Sequence, residues 1–188
     1  MGYAFLGAPA NARLASGPQQ GRWSDIGVGA REEISLPVFK LWIDHGAKPD
    51  AAAYGYAVVP GVDEDAFQAW LSRKFIEVLH NAPELQAVRH KESGVLGAAF
   101  YKPGRLEASL SIAVDKPCLV LAVKQEGSVR VAVANPENKP LQVEVLLGIP
   151  LQGEGAAQPD GRASRILFDL PGGTDAGKSV VRTFTLGP

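Results

Sequence analysis

The chain has 188 residues, and 19 Lys+Arg against 20 Asp+Glu give a formal charge of −1. That balance makes no electrostatic case for nucleic acid or an anionic membrane surface as a partner, while the length allows one domain or two small ones around a real core. The lone cysteine, Cys118, excludes an internal disulfide framework and a cysteine-based zinc site, and its setting in the apolar run CLVLAV suits a buried, inert thiol.

From the start of the chain, residues 2–6 (GYAFL) read as a short strand. The opening lacks the charged start and long apolar centre of a secretory signal. Its Met-Gly fails the myristoylation pattern because Leu6 stands where Ser or Thr is needed. No apolar run approaches the ~20 residues of a membrane span. A loop of Ala, Asn, Gly and Pro is expected up to Gly21, followed by GRWSDIG (21–27), where Trp23 suits burial of its ring or, if exposed, stacking on a sugar.

Val38 to His45 is rich in β-branched and aromatic residues, and Ala53 to Val59 returns to that pattern. Gly46, Lys48, Pro49 and Asp50 lie between them with turn chemistry, so a hairpin is expected. Residues 63–74 (DEDAFQAWLSRK) carry the marks of a helix. Asp63 suits the cap, Glu64 and Asp65 the first turn, and Arg73 and Lys74 the last. Phe67, Trp70 and Leu71 form a narrow apolar stripe expected to lie on a sheet.

Strand-like runs follow at 75–80, 85–90 and 95–101, separated by Asn-Ala-Pro-Glu and Lys-Glu-Ser-Gly turn signals. From Leu106 to Val114 every second residue is apolar or small, and 118–124, 129–134, 141–147, 164–170 and 178–186 repeat the strand pattern. The expected fold is all-β: antiparallel β-sandwich layers with one short helix at about 63–74. The break near 102–117 suggests domains at 1–105 and 106–188. Gly148 to Arg162 reads as a Gly-rich flexible loop without the ending of a phosphate-binding loop.

Several residues have catalytic potential. His45 and Asp44 with Tyr54 and Tyr56 surround one turn, and a His/Tyr pair can act as base and acid. Adjacent strand residues point to opposite faces, which weakens an Asp44–His45 dyad, and His45 before Gly46 suits a hydrogen bond to the turn. His80 and His90 end neighbouring strands, but two histidines without a third ligand make a poor metal site. Arg89, His90, Lys91 and Arg105 form a local basic grouping, read here as solvated turn surface. No Gly-x-Ser-x-Gly elbow occurs.

The segments GYAFL (2–6), GRWSDIG (21–27), Asp44-His45-Gly46 with Lys48-Pro49, Tyr54-x-Tyr56, VVPG (58–61), LQAVRHKESG (85–94), AAFYKPG (98–104) and DKPCLVLAV (115–123) resemble, in that order, the β region of polysaccharide lyase family 8. The resemblance runs to about residue 134. It implies that 1–105 is the end of the family's large central β-sandwich and 106–188 its small C-terminal sandwich. It implies an acidic polysaccharide of the hyaluronan, chondroitin or xanthan type, cleaved by β-elimination, and an extracellular or periplasmic setting. In the family the catalytic side chains sit largely on a preceding helical toroid, which becomes the expected partner. None of the histidines here lies in a segment matching the family's catalytic motifs, so no catalytic, cofactor-binding or metal-binding residue is carried over, and the isolated chain is expected to be a brace rather than a catalyst. A stand-alone carbohydrate-binding module using Trp23, Trp42 or tyrosines is the alternative. A small enzyme built on His45 and Tyr56 is a third.

Overall fold

Alternating apolar residues dominate the second half of the chain, and in the computed structural model they pair into antiparallel sheets. The structure describes residues 1–7, 11–158 and 161–187. Contacts divide the chain into two units, one of Met1–Ala4 with Val58–Pro188 and one of Phe5–Ala57.

Strand β1 (Gly2–Phe5) is followed by β2 (Ala12–Gly21) and β3 (Ile34–Ile43), and then by β4 (Tyr56–Val59). β2 and β3 pair without interruption from Ala12↔Ile43 to Gly21↔Ile34, while β4 pairs with β1. The hairpin expected across 38–59 therefore does not form, and the loop expected before Gly21 is largely strand. Gly46 and Lys48, both at positive φ, and Asp50 do turn the chain, but over a stretch long enough for each flanking strand to find an upstream partner. β2 is extended despite Gly17 and Pro18 because β3 offers it a complete ladder, a tertiary effect that outweighs weak local preference.

Helix α1 (Glu64–Arg73) has the anticipated caps. The Asp63 carboxylate accepts a hydrogen bond from the Ala66 backbone N–H at 2.8 Å, and Lys74 ends the helix in the left-handed region at φ 48°. Its apolar stripe is not fully buried: no helical residue is, and Leu71 keeps 36 % of its surface. The Phe67 ring lies against the backbone of Gly2, leaving no room there for a Cβ. Trp70 lies between Phe67 and Phe75, 6.3 Å from each ring centre.

The remaining strands form a sandwich. They are β5 (Ile76–Ala82), β6 (Leu85–His90), β7 (Val95–Phe100), β8 (Gly104–Leu106), β9 (Ile112–Val114), β10 (Cys118–Gln125), β11 (Ser128–Ala134), β12 (Leu141–Leu147), β13 (Leu151–Gln152), β14 (Ala156–Ala157), β15 (Ser164–Leu170) and β16 (Val180–Leu186). One sheet runs β13-β16-β11-β10-β7-β6-β5 and the other β14-β15-β12-β9-β8. Alternate residues meet between them: Val120, Val131 and Phe184 from the first layer, Ile112, Val145 and Phe168 from the second, all buried.

β7 and β10 are direct neighbours, with Phe100 opposite Cys118, so the first sheet continues across the 105/106 division. Lys102-Pro103-Gly104 is a real break, but it carries the chain from one layer of the sandwich to the other. The Gly148–Arg162 loop contains the two short strands β13 and β14. Along 106–114 the alternation is right in burial, with Leu106, Leu110, Ile112 and Val114 inside, although the chain bends between β8 and β9.

Candidate functional site

In the Phe5–Ala57 unit the turn after β3 is held by Asp44, not His45. The Asp44 carboxylate accepts from the Gly46 backbone N–H at 2.9 Å and meets Arg13 at 3.6 Å. His45 instead belongs to an aromatic row, 6.2 Å from Tyr54 with rings tilted by 40°. Tyr54 and Tyr56 are 6.3 Å apart with planes only 23° from parallel, and both are more than half exposed. His45 and Tyr56 thus come near one another through Tyr54, on open surface. Such a row offers ring faces to a sugar more readily than it offers a proton relay to a reaction.

The β2–β3 ribbon in the same unit is apolar on both sides. Leu36, Val38 and Trp42 share one face, and Leu14, Phe39 and Leu41 the other, as their alternation and register require. Leu14 is 66 % exposed, Leu36 59 % and Phe39 53 %. A shallow groove of about 440 Å³ crosses the ribbon between Pro18, Pro37 and Phe39. Trp23, expected to bury its ring, sits on a short 3-10 turn after β2 with most of its indole exposed, since a two-stranded ribbon supplies no second layer.

In the sandwich unit His80 and His90 do not meet. His80 lies opposite Ala87 and His90 opposite Ile76, towards opposite ends of the β5–β6 ladder. The His90 ring stacks on Phe75 at 5.2 Å, and its Nδ1 accepts from the Ser93 backbone N–H at 3.2 Å, a turn role. Among the described residues no three His, Cys, Asp or Glu side chains gather as a metal site would require. The Cys118 thiol is fully buried, and burial, reinforced by the nearby Asp115 charge, pushes its pKa up to about 12. It is no nucleophile at neutral pH.

The basic grouping at 89–105 divides. Arg105 pairs with Glu107. Arg89 is held from two sides: Nη2 and Nε donate to Glu77 at 2.5 and 3.1 Å, and Nη1 donates to the Ser109 hydroxyl at 2.8 Å. Lys91 joins Lys124, near the end of the distant strand β10, at an open groove of about 580 Å³. Its floor includes the buried Leu96 and Leu110. Ser109, Gln125 and Glu126 complete its polar lining. Nothing in the sequence brings Lys91 and Lys124 together; only the sheet order does.

Residues 1–144 match two family descriptions in succession. That of the polysaccharide lyase family 8 super-sandwich domain covers residues 1–71, and that of the polysaccharide lyase family 8 C-terminal beta-sandwich domain covers 77–144. Chondroitinase-AC of Pedobacter heparinus is 34 % identical over 91 % of this chain and 24 % of its own length. Hyaluronate lyase of Thermasporomyces composti is 30 % identical over 90 % of this chain and 22 % of its own length. Among solved structures, a chondroitinase AC lyase studied as enzyme–oligosaccharide complexes superposes with a TM-score of 0.77 at 32 % identity, over 96 % of this chain and 26 % of that one. The chain therefore spans about a quarter of the length of the relatives it matches.

Proposed function

The chain belongs to polysaccharide lyase family 8, and on that premise we propose that it is the β-sheet portion of an enzyme that cleaves uronate-containing polysaccharide by β-elimination outside the cytoplasm. Elimination needs the uronate carboxylate neutralised, a base for the α-proton and an acid for the departing oxygen. In this reading those groups belong to a helical catalytic domain of the same enzyme. The sheets described here brace that domain and contribute a wall to the cleft in which an acidic polymer of the chondroitin or hyaluronan type lies.

The observation that carries the proposal is the β2–β3 ribbon. A two-stranded ribbon is marginal by itself, and one with large apolar side chains on both faces is shaped to be covered. Leu14 and Phe39 on one face and Leu36 and Trp42 on the other supply that apolar area within the segment matched to the super-sandwich.

The test is an absorbance assay for unsaturated uronate on chondroitin sulfate, hyaluronan and xanthan. The purified chain alone releases none, and adding it to the separately expressed helical part of the same enzyme raises that part's activity. Cleavage by the chain alone, or indifference of the helical part to its addition, would overturn the proposal.

A second reading, a glycan-binding module, is favoured by the near-parallel, exposed pair Tyr54 and Tyr56. It predicts that Tyr54→Ala with Tyr56→Ala abolishes binding of the chain to an oligosaccharide without altering its fold.

A further inference from the structure

We propose that the groove between the β6–β7 and β10–β11 turns is a non-catalytic subsite for an oxyanion, carboxylate or sulfate ester, of an acidic glycan. Its substrate class rests on the lyase reading above. Its geometry does not.

The charge pattern is the first argument. Arg13, Arg22, Arg89, Arg105, Lys139 and Arg165 each have a carboxylate partner. Lys91 and Lys124, like the other described lysines apart from Lys139, have none, and what sets these two apart is that both line one groove. Two unpaired ammonium groups in one concavity, opposed there only by Glu126, leave it with an excess of positive charge. The guanidinium of Arg89 is already committed to Glu77, so it shapes the wall rather than supplying that excess.

The second argument is that one further donor is held in place. The Ser109 hydroxyl accepts from Arg89 Nη1 at 2.8 Å, which leaves its own proton free to donate into the groove. The Gln125 side-chain amide adds further donors. The β6–β7 turn passes close to the end of β10 at Gly94, whose φ of +67° suits glycine and where a Cβ would lie 3.0 Å from the Lys124 carbonyl oxygen. Leu96 and Leu110, both buried, back the groove from the sandwich core, so an anionic substituent that enters it meets the lysines at its rim. A polymer attached here stays near the enzyme between cleavage events, which raises its effective concentration at the cleft.

The experiment is calorimetric titration of the full chain with a chondroitin sulfate hexasaccharide, a hyaluronan hexasaccharide and inorganic sulfate. Lys91→Glu combined with Lys124→Glu is expected to weaken hexasaccharide binding at least about tenfold, and Glu126→Gln to strengthen it. Circular dichroism of these surface variants checks that the fold is intact. Binding of both hexasaccharides identifies the carboxylate as the recognised group. Binding of the sulfated one alone identifies the sulfate ester. Binding of neither, binding indifferent to the lysine substitutions, or binding of inorganic sulfate as tight as that of the hexasaccharides overturns the proposal. The two readings fail separately: hexasaccharide binding through Lys91 and Lys124 with no unsaturated uronate from the intact enzyme keeps the groove and removes the lyase. Cleavage with binding indifferent to the lysines does the reverse.

Discussion

Arg89 stands directly opposite Glu77 on the β5–β6 ladder and reaches past it to Ser109, joining the edge of the larger sheet to the bend between β8 and β9. The pair is partly exposed, so its charge–charge part is screened, and its value lies in the three hydrogen bonds of one guanidinium. Arg89→Ala is expected to cost about 1 kcal/mol in urea unfolding. Arg89→Lys recovers less than half of that, because a lysine cannot serve both partners. An unchanged midpoint for Arg89→Ala would show that the link contributes nothing.

Ser164 is the buried hydroxyl that secures the approach to β13. Its oxygen accepts from the Leu151 backbone N–H at 2.7 Å, and its proton goes to the Ile149 carbonyl at 3.0 Å. Replacing it by Ala leaves a buried donor and acceptor unmet, with an expected loss of about 1–3 kcal/mol. The urea midpoint should fall while the slope stays constant, since the unfolded state is unchanged.

Cys118 makes stability depend on alkaline pH. Its thiol has a folded pKa of about 12 against 9.0 when unperturbed. The unfolded chain therefore ionises first, so the contribution is complete below pH about 9 and is lost progressively as pH rises towards about 12. Cys118→Ala should flatten that part of a stability–pH profile while lowering stability at neutral pH. A thiol reagent at pH 8 should label the wild-type chain only after denaturant is added.

The ribbon makes opposite predictions in two settings. Leu14→Thr with Leu36→Thr, one change on each face, should alter the stability of the chain alone by less than about 0.5 kcal/mol, because both side chains are already exposed. Binding of a hydrophobic dye should fall. On the proposed reading, in which a further domain covers both faces, the same pair is expected to lower the thermal midpoint of the assembled enzyme. Equal effects in both settings would argue against a covered ribbon.

What the sequence disclosed follows from how local each signal is. The α1 helix could be read because Asp63, the acidic first turn and the Arg73–Lys74 end lie within one short segment. The sandwich strands could be read because their alternation lies in each strand by itself. Pairing could not: the residues of Val38–His45 and Ala53–Val59 suit a mutual hairpin as well as they suit β2 and β1, and only the assembled ladders decide. The turn chemistry of Lys102-Pro103-Gly104 likewise marks a change of direction without saying whether it separates domains or layers. At the candidate sites, Tyr54, Tyr56 and His45 are close in sequence and were legible as a group. The groove was not, because Lys91 in the β6–β7 turn and Lys124 near the end of β10 become neighbours only when β7 pairs with β10.

Strand β16 lies between β11 and β13, although it follows both along the chain. During synthesis the β10–β11 hairpin must therefore wait with one ladder of N–H and C=O groups open until residues 180–186 have left the ribosome. Until then a strand from a neighbouring nascent chain can occupy that place, so crowding of ribosomes on one message becomes a hazard that lasts until β16 takes its position.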